Sequence, residues 1–357
     1  MSAVASGLVG IAPAFDEIMS FCLQCRACEA ACPSLVPFGR AMEGARAEVA
    51  AAQRRGRRLR SRVFGRWIEK RRIVRVATLG VVLAQRVGRW VVPGRLRAGV
   101  DGMRRLAFRR SSVVGYGSSG GKETVGLLAG CVMDPWFAAV NEATIVLLER
   151  AGFRVVVPRS QTCCGALAAH EGGADDAARM AAMNEEAFSG VDHVVANAAG
   201  CSAHLAGYGH WDAPAVEERS VDALCLVAEA ISDGRLPTLD PTEERVAVHD
   251  PCHHRHALRM TEEPRTVVRA AGYEPIDVDA DGMCCGAAGV YSILRPETSV
   301  LLGSVKATEV EATRCDIVVS ANPGCEIQLR THLDDEVQIM HPLELYAEAV
   351  GATPRSR

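Results

Sequence analysis

The second half of this chain contains one arrangement of cysteines twice. In each copy a lone cysteine is followed 32 positions later by a Cys-Cys-Gly triplet, and a fourth cysteine comes further along the chain. The cysteines are Cys131, Cys163, Cys164 and Cys201 in the first copy and Cys252, Cys284, Cys285 and Cys325 in the second. An internal repeat of this length indicates two units of the same fold, each of which offers four thiol groups.

Short apolar segments alternate with helical patterns around both copies. TVGLL (124–128) and RVAV (245–248) are typical of buried strands, and the stretches 136–151 and 297–313 have helical spacing. This alternation predicts an α/β fold with parallel strands in each repeat. The strands are predicted to end on the single cysteines, namely Cys131, Cys201, Cys252 and Cys325.

The predicted fold brings the thiols of each repeat together. Loops at the carboxyl ends of parallel strands meet at one edge of a sheet, so the two distant cysteines should lie beside the Cys-Cys-Gly loop. Gly165 and Gly286 should let the backbone turn tightly there and approach an inorganic group closely. Each repeat is therefore predicted to hold four thiolates at one sheet edge.

A tighter group of cysteines lies near the N-terminus, in the segment CLQCRACEAACP. Its members are Cys22, Cys25, Cys28 and Cys32. Disulfide frameworks are typical of short secreted proteins, whereas this chain has 357 residues and a large apolar fraction. Structural zinc sites normally use paired CxxC or Cys/His spacing, which this motif lacks. The spacing therefore favours an iron–sulfur cluster.

The sequence predicts neither export nor a membrane span. The opening stretch, MSAVASGLVGIAPAF, has no basic residue before its apolar run, so we do not expect an export signal. The longest apolar stretch, 73–92, contains Arg75, Arg86 and Arg89, each of which is costly at the centre of a bilayer. We predict a cytoplasmic protein, in which clustered cysteines more often bind metals than form disulfides.

Positive charge is concentrated between the two cysteine regions. From Arg54 to Arg110 there are eighteen arginines and one lysine against Glu69 and Asp101, although the whole chain carries a net charge of −3. Three interpretations remain open: a solvated helical connector, a surface that docks on an anionic membrane, and a surface that docks on a protein partner. We do not expect nucleic acid as a partner, because no nucleic-acid-binding module surrounds the segment.

The pair of C…CCG…C repeats resembles the cysteine-rich CCG domain of heterodisulfide reductase. The same domain occurs in the iron–sulfur subunits of glycolate oxidase, lactate-utilisation and anaerobic glycerol-3-phosphate dehydrogenase complexes. The segment CLQCRACEAACPSLVPFGRAMEGAR, a basic connector and then the repeats are most similar, in this order, to the glycolate oxidase iron–sulfur subunit. The resemblance covers nearly the whole chain.

The resemblance implies four segments and an electron-transfer function. The segments are a helical ferredoxin-like domain (1–50), a basic helical connector (51–121) and two CCG repeats (122–240 and 241–357). In the family, [4Fe–4S] clusters relay electrons from a flavin subunit that oxidises a 2-hydroxy acid, towards a quinone-type acceptor. The chain would then have flavin-containing partners and no catalytic residue of its own, and a peripheral place on the inner face of the membrane stays open. The sequence contains no Gly-rich dinucleotide-binding fingerprint, which agrees with a flavin that is bound by a partner subunit.

The chain departs from the family pattern in its N-terminal motif. The family usually has two CxxCxxCxxxCP motifs, and this chain has one, which aligns with the second. In two-cluster ferredoxins the fourth cysteine of each motif binds the other cluster, so the fourth ligand beside Cys22, Cys25 and Cys28 is open. Either Cys32 closes a single cluster, or the start of the chain is truncated, or a partner supplies ligands.

A second departure concerns the end of each repeat. The fullest CCG motif ends in CxxC, whereas here the endings are CSAH and CEIQ, so that His204 is an additional candidate ligand in the first repeat. Four thiolates suit an iron–sulfur cluster or a zinc ion, and an empty thiol site also remains open. Four histidines surround Cys252, and we expect them to belong to a polar loop without a ligand role. They are His249, His253, His254 and His256.

Three functions remain open at this level. The leading one is an electron-transfer subunit of a glycolate-oxidising complex, with lactate and glycerol 3-phosphate as the alternative substrates of such a complex. A thiol–disulfide reductase of the heterodisulfide type is weakened by the missing CxxC endings. A zinc-stabilised scaffold explains the cysteines alone, and it predicts a colourless protein.

Overall fold

The computed structural model describes residues 1, 4, 6–8, 10–52, 67, 70–87, 100, 102–106, 112–279 and 281–352. Most of the predicted basic connector, 51–121, lies outside these described residues. The two repeats are described almost completely.

The described residues form two four-stranded sheets in which every neighbouring pair of strands is parallel. The strand orders are β2-β1-β3-β4 and β6-β5-β7-β8, so the two repeats have the same topology. The strands are β1 (Thr124–Leu127), β2 (Arg154–Val156), β3 (His193–Ala196), β4 (Ser220–Asp222), β5 (Arg245–His249), β6 (Glu274–Asp277), β7 (Ile317–Ser320) and β8 (Gln338–Met340). The predicted α/β class with two repeated parallel units is confirmed.

Helices precede, connect and follow the strands, and each predicted helical stretch in the repeats contains one. The N-terminal helices are α1 (Pro13–Ser20), α2 (Ala27–Ala30), α3 (Phe38–Ala52) and α4 (Arg71–Val87). The first repeat contains α5 (Met133–Trp136), α6 (Ala138–Arg150), α7 (Ala166–His170), α8 (Ala174–Ala187), α9 (Ala199–Leu205), α10 (Pro214–Arg219) and α11 (Ala223–Ser232), with a 3-10 helix at Tyr208–Trp211. The second contains α12 (Glu262–Ala270), α13 (Tyr291–Leu294), α14 (Pro296–Ala312), α15 (Pro323–His332) and α16 (Pro342–Ala349), with a π-helix at His253–Leu258.

The central strands are buried on both faces. In β5 the consecutive residues Val246, Ala247 and Val248 are all buried, and so are the consecutive residues Val125, Gly126 and Leu127 of β1. Successive strand residues point to opposite faces, so burial of neighbours requires packing on both sides of the sheet. This is why these segments appear in the sequence as continuous apolar runs.

One hydrophobic core joins the two repeats. It includes Val125 and Leu147 of the first repeat together with Val267 and Tyr346 of the second. Tyr346 lies on helix α16, which packs against α6 of the first repeat and α12 of the second. Its hydroxyl donates a hydrogen bond to the carbonyl of Pro237, at 2.5 Å. The repeats are therefore held in a fixed relative position.

The N-terminal helices are fixed on the repeats by two arginines. The buried guanidinium of Arg46, on α3, donates to the carbonyl oxygens of Met19, Cys22 and His170 at 2.9, 2.7 and 2.8 Å. Arg295, from the second repeat, pairs with Glu17 at 2.8 Å. These contacts place the N-terminal cysteine motif against both repeats.

A short part of the connector is bound to the second repeat by Arg104. Its guanidinium donates to Glu326 at 2.5 and 2.7 Å and to Glu344 at 2.6 Å, and both carboxylates are buried. Helix α4 contacts the first repeat through Thr78, whose hydroxyl accepts a hydrogen bond from Trp136 Nε1 at 3.0 Å. Within the described residues, no helix combines the length and apolar character needed to cross a bilayer.

Candidate metal centres

The four thiols of the first repeat form a continuous series. Sγ of Cys163 lies 3.2 Å from Sγ of Cys131, and Cys164 interacts with both Cys163 and Cys201. Cys131 follows β1, the Cys-Cys pair lies between β2 and α7, and Cys201 follows β3. Three neighbouring parallel strands thus deliver the four sulfur atoms to one sheet edge.

The second repeat has the same order of contacts. Cys252 interacts with Cys284, Cys284 with Cys285, and Cys285 with Cys325. Here β5, β6 and β7 provide the sheet edge. The structure brings together both sets of four cysteines that the repeat indicated.

The positions of the single cysteines differ from the predicted strand ends. Strands β1, β3, β5 and β7 end three to five residues earlier, at Leu127, Ala196, His249 and Ser320. Cys201 and Cys325 lie within the first turns of α9 and α15, and Cys252 is the residue before the π-helix. The prediction that strands end on these cysteines was wrong, because an apolar run does not show where the strand pairing stops.

The glycine of each Cys-Cys-Gly triplet has a left-handed backbone. Gly165 has φ of 93° and Gly286 has φ of 86°. A Cβ on Gly286 would lie 2.8 Å from the carbonyl oxygen of Ser299, and one on Gly165 would lie 3.3 Å from Nε2 of His204. The predicted tight turns are therefore present, and an added Cβ would have less space at Gly286 than at Gly165.

The electrostatics of the thiols favour a cationic occupant. Hydrogen bonding to Cys163 and burial raise the pKa of Cys131, and hydrogen bonding to Cys163 and Cys201 together with burial raises that of Cys164. In contrast, hydrogen bonds from its two neighbours lower the pKa of Cys163. Four adjacent thiolates repel one another, so only a positively charged centre stabilises them all in the ionised form that binds metal.

Two buried histidines lie beside the thiols. Nε2 of His204 is buried near Cys163 and has no hydrogen-bond partner among the described residues. His249 is only 3% exposed, and its ligand nitrogen and the sulfur atoms of Cys285 and Cys325 all lie within 4.8 Å of one another. Burial lowers the pKa of His204 to about 4 and that of His249 to about 3, so both rings are neutral at pH 7.

The expectation of a polar loop around Cys252 was wrong. His249 is the last residue of β5, and His253, His254 and His256 belong to the π-helix. His254 is fully buried, with Nε2 2.9 Å from Oδ2 of Asp222. The signal that could have identified His249 is its place at the end of an apolar strand, where a polar residue meets the sheet edge.

The N-terminal motif lies next to the second repeat. Its thiols are half-buried at Cys22, Cys25 and Cys32 and exposed at Cys28. Cys252 lies close enough to Cys25 to affect its ionisation, and α2 packs on the π-helix. The backbone NH of Gln24, a residue with φ of 54°, donates to Sγ of Cys22 at 3.3 Å.

A cavity of about 130 Å³ lies where the N-terminal segment meets both repeats. Its wall includes Arg26, Glu43, His170, His204 and His253. The rings of His170 and His253 stack with centroids 6.0 Å apart. The cavity is therefore polar, and it adjoins both a histidine of the first repeat and a neighbour of Cys252.

The sequence relationships agree with this geometry. A family model described as "Cysteine-rich domain" matches residues 125–206 and 246–330. The chain is 31% identical to the "Probable glycolate oxidase iron-sulfur subunit" of Bacillus subtilis, over 98% of this chain and 86% of that protein. The chain belongs to the glycolate oxidase iron–sulfur subunit family. Within this family it is also 26% identical to the Escherichia coli glycolate oxidase iron-sulfur subunit, over 94% of this chain and 83% of that protein.

This member of the glycolate oxidase iron–sulfur subunit family also resembles a further protein over part of its length. That relative is one of the subunits of the fumarate reductase (CoM/CoB) of Methanothermobacter marburgensis, 31% identical over 62% of this chain and 45% of that protein. The residues of the chain fit iron–sulfur clusters, because largely buried thiols converge beside a glycine turn in each repeat. The chain binds iron–sulfur clusters.

Proposed function

We propose that the chain is the iron–sulfur electron-transfer subunit of a flavin-dependent complex that oxidises a 2-hydroxy acid, with glycolate as the favoured substrate. The observation that carries the proposal is the proximity of Cys25, in the N-terminal motif, to Cys252 of the second repeat. Three cysteine groups lie around the junction between the N-terminal segment and the two repeats. This arrangement suits an electron relay, whereas a protein with a single structural metal needs only one such group. The flavin partner, the quinone-type acceptor and the four segment boundaries belong to the same proposal.

The groups of this chain have distinct roles in such a relay. When bound, the clusters supply one-electron transfer. Cys22, Cys25, Cys28 and Cys32 would hold one cluster, and the four cysteines of each repeat would hold further centres. The exposed thiol of Cys28 leaves the N-terminal motif accessible to a partner, whereas the largely buried thiols of the repeats exclude water from their centres. Water exclusion and hydrogen bonds to sulfur set reduction potentials.

Metal analysis tests the proposal directly. Iron, zinc and acid-labile sulfide are measured in anaerobically purified protein, with an EPR spectrum after reduction by dithionite, for the natural protein, Cys25→Ser and Cys225→Ser. Cys225 is the matched control, because it is half-buried against Met260 and belongs to none of the three cysteine groups. Iron and sulfide in equal amounts that fall only in Cys25→Ser support the relay. Stoichiometric zinc without sulfide overturns it.

The paired C…CCG…C repeats, which resemble those of heterodisulfide reductase, support a second candidate, a thiol–disulfide reductase. Such an enzyme would reduce a disulfide to two thiols at the thiol centres, with two electrons from a low-potential protein donor in place of a hydroxy acid. The two functions therefore differ both in what reduces the clusters and in what accepts their electrons. Glycolate with the co-purified flavin subunit should bleach the visible spectrum of the chain if it is a relay, whereas a reductase should be re-oxidised by added disulfide and turn over.

The exposed face of α4 supports peripheral membrane binding as part of the proposal. Ile73, Val76, Leu79 and Leu83 are exposed apolar residues at helical spacing, and they lie in the most basic part of the sequence. Apolar residues between basic ones on a surface helix favour binding to anionic lipid. Co-sedimentation with phosphatidylglycerol vesicles should be lost in Val76→Gln/Leu83→Gln. It should persist in Leu301→Gln, which changes an exposed apolar residue on α14; equal binding by all three proteins would exclude this role for α4.

A further inference from the structure

We propose that His249 is a ligand of the metal centre in the second repeat, which gives that centre a mixed histidine and cysteine donor set. The inference deepens the proposed function, because it rests on the presence of a metal centre in this repeat. Among the described residues, His249, Cys285 and Cys325 are the one group whose three ligand atoms all lie within 4.8 Å of one another. All three are buried.

The ring of His249 is oriented by a second polar group. Nδ1 lies 3.0 Å from the hydroxyl oxygen of Ser320, at the end of the neighbouring strand β7. A hydrogen bond at Nδ1 leaves Nε2 as the nitrogen that binds a metal. Metal-binding histidines almost always have their other nitrogen fixed in this way, which sets both the tautomer and the ring plane.

The first repeat shows that the fold does not require this polar pair. The residue three positions before Cys131 is Leu128, and the residue five positions before Cys201 is Ala196. Both are buried. In the second repeat the same two places, relative to Cys252 and Cys325, hold His249 and Ser320. Burying an imidazole and a hydroxyl where an apolar pair suffices costs free energy, so the pair indicates a ligand role.

At another position beside the thiols the difference is reversed, and the first repeat has the histidine. His204 lies three positions after Cys201, and its counterpart three positions after Cys325 is Gln328. The amide of Gln328 is used within the fold, because its Nε2 donates to the carbonyl oxygen of Ser299 at 2.9 Å. Each repeat thus places one buried histidine beside its thiols, but from different elements; in the second repeat the half-buried His253 also lies with Nδ1 3.7 Å from Sγ of Cys252. The two centres are therefore chemically distinct.

A neutral imidazole changes the properties of the centre. It replaces or supplements a thiolate without adding negative charge, and histidine ligation of iron–sulfur clusters raises their potential relative to all-cysteine ligation. We therefore infer that the second repeat holds the centre of the higher potential if His204 does not bind in the first. The direct test is the detection of the histidine nitrogen at the metal.

The experiment uses the full chain, purified anaerobically, in a His204→Gln background so that the first repeat contributes no histidine nitrogen. Metal analysis selects the method. Pulsed EPR after dithionite reduction, with ¹⁵N-labelled histidine, is used if the second repeat holds iron; X-ray absorption at the zinc edge is used if it holds zinc. Three variants are made in this background. The first is His249→Cys, and the second is the double variant His249→Leu/Ser320→Ala, which introduces the two residues found at these places in the first repeat. The third, His256→Gln, is the control. His256 lies in the π-helix and bonds to the carbonyl oxygen of Gly282.

We expect a nitrogen signal in the background protein and in His256→Gln, and its loss in both His249 variants. His249→Cys should keep its metal, so loss of the signal there cannot be attributed to unfolding. A background protein without a nitrogen ligand, or a signal that persists in His249→Cys, overturns the inference. If Cys285→Ser removes no metal from the background protein, the second repeat has no metal centre, and the proposed function fails for this repeat independently of His249.

Discussion

Oε1 of Glu43 lies 3.6 Å from Nε2 of His170, across the junction between the N-terminal segment and the first repeat. Burial raises the pKa of Glu43 to about 7, despite the lowering effects of Arg26, Arg40 and Arg46. Burial also lowers the pKa of His170 well below its ordinary value. Near neutral pH the pair is a neutral imidazole beside a carboxyl group at its midpoint, so small changes of pH alter the charge of the junction.

The stability of the protein should depend on the protonation of Glu43. Its folded pKa is raised above the ordinary value of 4.5, so the folded state binds the proton more tightly and is destabilised as pH rises from about 4.5 to about 7. For a pKa shift of this size, the free energy of unfolding falls by at most about 3 kcal/mol. Glu43→Gln should remove this dependence, and denaturant unfolding at pH 5 and pH 7.5 measures it. Equal pH dependence in both proteins would contradict the burial of this carboxyl group.

Arg46 should be the strongest attachment of the N-terminal motif. Arg46→Leu leaves the carbonyl oxygens of Met19, Cys22 and His170 without their donor, and we expect a loss of about 2–4 kcal/mol in the free energy of unfolding. Limited proteolysis should then cut the N-terminal segment first. Arg40→Leu, an exposed position on the same helix, is the control. If Arg46→Leu and Arg40→Leu resist proteolysis equally, contacts other than those of Arg46 attach the N-terminal segment.

The three glycines Gly286, Gly165 and Gly234 should rank in this order when each is changed to alanine. All have positive φ, which costs an alanine about 1–2 kcal/mol. Of the three added Cβ atoms, only the one at Gly286 lies as close as 2.8 Å to a backbone atom. The Cβ at Gly165 has its nearest neighbour at 3.3 Å, and the Cβ at Gly234 meets open space. Denaturant midpoints measure the order. A Gly286→Ala protein as stable as Gly234→Ala would mean that the second Cys-Cys-Gly turn relaxes easily.

Arg104 should be essential for stability because it neutralises two buried carboxylates. Burial alone would raise the pKa of Glu344, yet hydrogen bonds from Arg104 lower it below the ordinary value. Arg104→Met leaves Glu326 and Glu344 without this partner and should cost about 3–5 kcal/mol at pH 7. The loss should already begin to shrink above pH 4.5 as the pH falls, because burial without Arg104 raises the pKa of Glu344 above its ordinary value of 4.5. Glu326→Gln/Glu344→Gln should restore much of the stability of Arg104→Met, and failure of this rescue would contradict the charge argument.

Local patterns in the sequence predicted the repeats well. The two 32-residue intervals and the apolar runs such as TVGLL indicated the parallel α/β units, their helices and the convergence of four thiols in each. These features follow from the spacing of apolar residues within each element and from the rules for connecting consecutive elements, and both can be recognised from neighbouring parts of the sequence.

The relationships that sequence reasoning missed are those between distant segments. The proximity of Cys25 to Cys252 depends on how Arg46 and Arg295 position the N-terminal helices, and no local pattern contains this information. The sequence alone predicts a polar loop for His249, because this residue stands among other histidines. Only the end point of β5, set by pairing with β7, shows that its ring faces the thiols.

The place of α16 has a consequence for the assembly of the protein in the cell. This helix leaves the ribosome after the strands of both sheets, and its residues Leu343, Tyr346 and Ala347 complete the core that contains Val125 and Leu147 of the first repeat. The first repeat is therefore unfinished until the whole of the second repeat has been synthesised. The thiols of Cys163 and Cys164 pack in a separate core built only from first-repeat residues, so their arrangement does not depend on this helix.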